Sequence, residues 1–413
     1  MTIKVRSILP FSVLALTFIS VDSWSIIPIG NTAFQWGVSL LILIMIIYYY
    51  NKIHLINRRD YRIVFIYLVW TIFNIVRGIT YAKYYWDWKQ LVSGSLALLL
   101  PSFVYVYNNP ALLNETLKVW FRYALFVFFV FFIWVTSNGS KHFYLGPVLL
   151  LSCFLPSLRK KYRLLFLALL IMMLFIDIGA RSQVLKTAAA LLLSISFFLK
   201  YYLKIALYKF LFWFFSLTPC LLVILGLSGV FNIFTGFNSF QGDDYRHTRF
   251  VNGRVVDEDL TADTRTGLYK EVVFSALKNN YVILGRTPAR GNDSELFGEG
   301  ISTATGLDRH ERHSNEVLFL NVFNWNGLIG LILYCLIYFK SAYLSIYKSN
   351  NIYLKIIGVY VIFRFAYGWV EDFNRFDIMN ISLWMAIAMG FSITFRKMTN
   401  QDFKLWLNSN FRK

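Results

Sequence analysis

Residues 306–330 read "GLDRHERHSNEVLFLNVFNWNGLIG". Asp308, Arg309, His310, Glu311, Arg312 and His313 stand side by side, and after Glu316 the chain turns apolar and stays so to about residue 339. A helix needs ~20 such residues to cross the hydrocarbon core of a bilayer. The stretch therefore reads as the charged lip of a membrane span. What lies at that lip, and on which side, depends on the rest of the chain.

The rest is built the same way. Of 413 residues, 57% are hydrophobic, 19% aromatic and only 15% charged, and mean hydropathy is +0.53. A soluble chain carries about 25% charge. The apolar runs lack the ten-residue alternation of a membrane barrel, so the fold class is an all-α polytopic membrane protein. About twelve spans are expected, near 8–23, 33–50, 62–78, 90–107, 118–136, 144–158, 163–179, 184–200, 211–230, 315–339, 352–370 and 378–395. The first run lacks a small-x-small cleavage site and is expected to stay as a helix. Three parts follow: spans one to nine in 1–230, a loop in 231–314, and spans ten to twelve with a tail in 315–413.

Net charge is +19. With the N-terminus inside, more than half of the 41 Lys and Arg fall in inside segments, among them Arg58, Arg59, Arg159, Lys160, Lys161, Lys340, Arg396 and Lys397. This satisfies the positive-inside rule and sets both termini in the cytoplasm. The long loop then lies outside, and its basic residues are not topological, because long loops translocate whatever their charge. Cys153, Cys220 and Cys335 lie in apolar runs without metal-site spacing. There is no Walker A loop and no dinucleotide fingerprint, and the charge needs no nucleic acid to explain it.

Within the loop, residues 264–279 place Leu268, Val272, Ala276 and Leu277 at helical spacing, an amphipathic helix expected against the span bundle. "NNYVILGR" (279–286) reads as a short extended piece, and 287–312 as a mobile lid. Arg181 sits at an outer lip, either as a functional cation or as an interfacial anchor. Arg265 heads the amphipathic helix, where an Arg and open N–H groups suit an anion; the alternative is a solvated charge. His310 and His313 could be surface side chains or a general base on a hydroxyl. A metal reading is weaker, since helical zinc pairs prefer i, i+4 spacing. Glu371 and Asp372, with Arg375 and Asp377, form an outer turn suited to capping helices and orienting cations. Converging Arg and Lys side chains, with Arg286 and Arg312 joining them, suit a diphosphate, and a lipid diphosphate would arrive from the bilayer.

Three motifs in order carry a family likeness: "ARSQVLKTAAALLL" (180–193), "TRTGLYKEVVFSALKNNYVILGR" (264–286) and "HSNEVLFLNVFNWNGLIGL" (313–331). Over roughly 165–395 the chain resembles the O-antigen polymerase and O-antigen ligase superfamily of bacterial envelopes. The resemblance implies a GT-C-like glycosyltransferase of the inner membrane with a periplasmic loop, needing neither nucleotide nor metal. It implies an undecaprenyl-diphosphate-linked oligosaccharide as donor and, for a polymerase, another lipid-linked repeat unit as acceptor. A ligase would use lipid A core instead. Arg181 and Arg265 would hold the diphosphate, and His313 or His310 would activate the acceptor hydroxyl. Membrane lipid and a chain-length regulator protein are the further partners expected. A transporter or flippase is the reading from a different class.

Overall fold

The computed structural model describes residues 5–21, 31–52, 58–176, 181–198, 205–227, 246–251, 254–259, 264–295, 297–372, 374–409 and 411. The expectations for residues 22–23, 177–179, 199–200, 228–230 and 231–245 lie outside these. In chain order the helices are α1 (Val5–Ile19), α2 (Thr32–Lys52), α3 (Arg58–Tyr81), α4 (Tyr85–Tyr107), α5 (Pro110–Val135), α6 (Asn138–Tyr144), α7 (Gly146–Ser152), α8 (Lys160–Phe175), α9 (Arg181–Phe198) and α10 (Ile205–Leu227). They continue as α11 (Thr264–Lys278), α12 (Gly298–Thr305), α13 (Leu318–Tyr347), α14 (Ile352–Tyr367), α15 (Ile378–Phe391), α16 (Ile393–Lys397) and α17 (Asn400–Ser409). The protein is an all-α membrane protein, with small antiparallel additions that the sequence does not advertise. These are a hairpin of β1 (Arg246–Val251) and β2 (Arg254–Asp259), and a two-residue ladder of β3 (Asn292–Asp293) and β4 (Glu311–Arg312).

Among the described residues six helices are long and apolar enough to cross a membrane: Thr32–Tyr50, Arg59–Tyr81, Tyr85–Tyr107, Pro110–Val135, Ile205–Leu222 and Leu318–Tyr347. Their outer faces carry bare apolar side chains such as Ile44, Ile72, Val76, Trp134, Phe214 and Leu221. A water-facing surface does not tolerate apolar area on this scale; lipid does. The expected spans near 8–23, 184–200 and 378–395 have shorter apolar counterparts, Ser7–Ile19, Ser182–Ile195 and Ile378–Phe391. The expected span 144–158 is instead the short helix α7 followed by a 3₁₀ turn, Leu155–Ser157. Pro147 and Pro156 punctuate that segment and divide it.

The core is centred on α15, every residue of which is buried. It packs against α13, α14, α7 and the end of α4. Tyr334, Tyr338 and Trp384 pack edge-on and tilted, with ring centroids 5.5–5.7 Å apart, and Phe319 and Phe365 extend the cluster. One end of the bundle gathers Asp60, Arg396, Lys340 and α17: Arg396 pairs with Asp60 at 2.7 Å, and Lys340 donates to Arg59 O. There α17 is fixed by Trp406 Nε1 to Pro110 O and by Asn408 Nδ2 to Ser157 O. The opposite end holds Arg77, Asp87, Lys186, the turn 368–377 and residues 281–316.

That second end is organised by a break in α13. Gly327 has φ +66°, ψ −173°, outside helical values. The expected extended piece 279–286 is here a tight turn, with Gly285 N–H donating to Tyr281 O at 2.8 Å. Its backbone fills the break: Leu328 N–H donates to Val282 O (2.8 Å) and Arg286 N–H to Asn324 O (2.7 Å). Arg77 clamps the turn through Leu284 O and Gly285 O. A Cβ on Gly327 would lie 2.1 Å from Ile283 O, and one on Gly285 2.4 Å from Gly327 N. Helix and turn meet with no space for side chains.

α11 forms where expected and packs Leu268 and Val272 on Val317 and Leu320. Leu277, expected on the same face, points outward at 59% exposed. The segment 287–312 is packed rather than a loose lid: Thr287, Ala289, Asn292, Ser294 and Glu311 are all buried.

Gly327→Ala and Gly285→Ala should each destabilise the protein by about 1–3 kcal/mol, the range for enforced backbone strain. Thermal unfolding of detergent-purified protein checks this. Gly300→Ala, at a position with open space around it, should leave the melting point unchanged.

Candidate functional site

The β3–β4 ladder pairs Asn292 with Arg312 and Asp293 with Glu311. Alternation along the strand sends neighbouring side chains to opposite faces. Glu311 turns inward. It accepts from Arg290 Nε (2.8 Å) and Arg286 Nη2 (3.1 Å) and also pairs with Arg290 Nη2, while Arg286 Nη1 reaches Asp293 at 2.6 Å. Burial pushes the Glu311 carboxyl up, but the Arg290 and Arg286 guanidiniums outweigh it and hold the group below its usual range. Arg312 turns the other way, stacking on Phe297 with its guanidinium 4.0 Å from the ring centroid. Its Nη1 is buried without a partner among the described residues.

His313 follows directly. Its carbonyl accepts from Trp325 Nε1 and Gln90 Nε2, both at 3.2 Å, which fixes the backbone at the mouth of the broken helix. Its Nε2 has no hydrogen-bond partner among the described residues and lies 3.9 Å from Asp87 Oδ1. Burial holds the imidazole below its ordinary value of 6.5, against the opposing pull of Glu311 and Asp87. It is therefore a neutral base at pH 7. Asp87 itself is fully buried: its Oδ2 accepts the N–H groups of Lys83 and Tyr84, and its Oδ1 pairs with Arg309 at 2.6 Å.

Two cavities meet here. The larger, about 570 Å³, is lined by Trp86, Lys89, Gln90, Phe297, Arg312 and His313 among others. The smaller, about 450 Å³, is lined by Ser182, Gln183, Lys186, Glu371, Asp372 and Arg375 among others. Ser314 lines both. The first contains cations, an amide, hydroxyls and two aromatic rings, with no carboxylate among the described residues of its lining. In the second, Lys186 Nζ pairs with Glu371 Oε1 at 2.8 Å. There Asp372 accepts from Asn321 Nδ2 and Asn374 N–H, and burial pushes its carboxyl up to about 7.

Comparison with family models, curated proteins and solved structures finds no match. What the chain can do is therefore read from this geometry.

The sequence-derived site residues divide. His313 and Arg312 line the larger cavity, and Glu371 and Asp372 the smaller. His310 is exposed and lines neither; a Cβ on Gly298 would lie 2.5 Å from its own Cβ. Arg286 lines neither and is occupied by Asp293, Glu311 and Gly291 O. Arg181 heads α9, whose next turn supplies Ser182, Gln183 and Lys186 to the smaller cavity. Arg265 is the second residue of α11, one turn before Tyr269, whose hydroxyl donates to Trp369 O beside the same cavity. Sequence reading missed Asp87, Gln90, Arg290 and Lys186. The stretch "YYWDWKQ" (84–90) held a signal: an acid three residues after a helix start, among aromatics at a membrane lip.

A carboxylate with a depressed pKa contributes stability above its unfolded value, and loses it as pH falls through the folded one. Melting temperature should therefore drop as pH falls below the ordinary 4.5 of Glu311. Glu311→Gln should flatten that limb and cost about 1–3 kcal/mol at neutral pH, because the half-buried Arg290 loses its carboxylate while Arg286 keeps Asp293.

Proposed function

We propose that this protein is a membrane glycosyltransferase that polymerises a surface polysaccharide. It would move a glycan from undecaprenyl diphosphate to a sugar hydroxyl of another lipid-linked repeat unit, at the periplasmic face of a bacterial inner membrane. The observation that carries the reading is the meeting of two cavities at Ser314, with a neutral His313 on one side and the Lys186–Arg375 lining on the other.

In this reading the smaller cavity takes the donor headgroup. Arg181 begins α9, which supplies Ser182, Gln183 and Lys186 to its lining, and Arg375 lines it too; Arg265 begins α11, none of whose described residues line it. The larger cavity takes the acceptor. Trp86 and Phe297 offer flat apolar faces for a sugar ring, and Lys89, Gln90 and Ser93 offer polar groups for its hydroxyls. The His313 imidazole accepts the proton of the attacking hydroxyl. The new glycosidic C–O bond forms at the anomeric carbon as its bond to the diphosphate breaks, and the electron pair leaves on the diphosphate. Fixed cations stabilise that charge. Asp87, 3.9 Å from Nε2, opposes the imidazolium charge that forms. Arg286 and Arg290 act indirectly, by holding the strand that carries Arg312 and His313.

The twelve-span topology belongs to the same reading. Arg59, Lys340 and Arg396 meet at one end of the bundle, the end the positive-inside rule assigns to the cytoplasm. The cavities then open on the periplasmic side.

The test is elongation of purified lipid-linked repeats in proteoliposomes, without nucleotide or ion gradient. His313→Ala should lower the rate about 10²–10⁴-fold, the usual contribution of a general base. His310→Ala should leave it near wild type. A base with a lowered pKa stays unprotonated further into acid, so the acid limb of kcat should lie below pH 6.5. Asp87→Asn removes a charge that raises the His313 pKa, and should move that limb lower still. If His313→Ala elongates at the wild-type rate, the assignment fails. Transfer to lipid A core alone would mark a ligase.

A further inference from the structure

The outer face of α11 is apolar and bare. Phe274 is 68% exposed and Leu277 59%, with Val273 beside them. The turn that follows adds Ile283 at 60% and Leu284. Phe or Leu left in water at this density is unusual outside a contact surface. The helix already buries Leu268, Val272 and Ala276 on its other side, so this second stripe does not serve the core.

Where the stripe leads identifies its occupant. Val282 O accepts from Leu328 N–H, and the next residues of α13, Ile329 and Ile332, are exposed apolar side chains of a membrane-length helix. Leu284 O accepts from Arg77, whose neighbours on α3, Phe73 and Val76, are exposed and apolar in the same way. The stripe on α11 is thus continuous with the lipid-facing surfaces of α3 and α13. Lys270 and Lys278 are exposed on the same helix, and Lys278, 76% exposed, also reaches Asp293 Oδ2 at 3.3 Å. An apolar stripe with lysines beside it is the arrangement of a helix lying in the headgroup region of a bilayer.

We infer that α11 and the 283–284 turn are docked in the membrane surface. Phe274, Leu277, Ile283 and Leu284 enter the acyl–headgroup boundary, and Lys270 and Lys278 face lipid phosphates. The loop is thereby tethered to the bilayer at the side facing lipid. This inference uses the membrane character of the protein and does not depend on the glycosyltransferase reading.

The test is a depth measurement on the full-length protein. Native cysteines are removed by Cys153→Ala, Cys220→Ala and Cys335→Ala, and an NBD fluorophore is attached at Phe274→Cys, Leu277→Cys or Leu284→Cys, with Glu295→Cys as the aqueous control. The protein is reconstituted in phosphatidylethanolamine–phosphatidylglycerol vesicles with brominated acyl chains. Labels on the stripe should be quenched by bromine, shielded from iodide, and placed about 5–10 Å into the boundary. The Glu295→Cys label should be open to iodide. Absence of bromine quenching overturns the inference, whether the stripe labels are open to iodide because water covers the face or shielded from it because protein does. If the cysteine-free protein does not fold, benzoylphenylalanine at position 274 of the otherwise unaltered chain reads the same contact. Photocrosslinking to labelled phospholipid is expected, and crosslinking to protein alone overturns it.

Discussion

The architecture of the polar end depends on two backbones meeting where neither tolerates a side chain. Breaking α13 at Gly327 leaves peptide groups that a continuous helix would satisfy itself. Within a membrane protein such groups must find partners in protein. The turn 282–286 supplies them, and only because Gly285 lets it approach. Once that joint is made, Arg286 and Arg290 are positioned to receive Glu311, and Glu311 in turn sets the strand on which Arg312 and His313 stand. The charge at the lip of this span is therefore mostly committed to holding the lip together. Arg312 Nη1 and His313 Nε2 are the polar atoms of that cluster left without a partner among the described residues.

That division between committed and uncommitted charge separates the roles in the proposed reaction. Arg309 and Asp87 neutralise each other beside His313, so the imidazole experiences burial as its dominant influence and remains unprotonated. On the other side of Ser314, Lys186 is paired with Glu371, and Asp372 shares protons near neutrality. A multiply charged anion entering there would meet cations whose counter-charges are adjustable, which favours exchange of a headgroup over permanent capture.

Membrane class, the long helices and the start and end of α11 were legible because they rest on hydropathy and periodicity, both local properties. So was the position of His313 just ahead of the apolar run. What could not be read were pairings across long sequence separation. Nothing local says that Glu311 pairs with Arg286 and Arg290, or that Asp87 lies near Arg309 and His313. Arg286 therefore looked like a ligand residue when it is a strut, and His310 looked equivalent to His313 although it is exposed beside Gly298 and lines neither cavity. Leu277 fitted a helical stripe that, on this helix, continues around to a second apolar face. The span expected at 144–158 failed for a different reason: hydropathy sums over residues and does not register that prolines divide the segment into short buried pieces.

The completely enclosed α15 has a consequence for the insulating layer itself. Surrounded by protein, its 14 residues need not match lipid, and at 1.5 Å per residue they reach about 21 Å. The hydrocarbon layer is about 30 Å thick, and α3, with 24 residues, exceeds it. Tyr61 near the start of α3 donates to Phe391 O at the end of α15, so the two helices are level there and α3 extends past the polar turn at the head of α15. Water following that step would bring a high dielectric several ångströms below the plane of the surrounding lipid carbonyls, where the side chains of Glu371 and Arg375 can stay solvated on one side at low energetic cost.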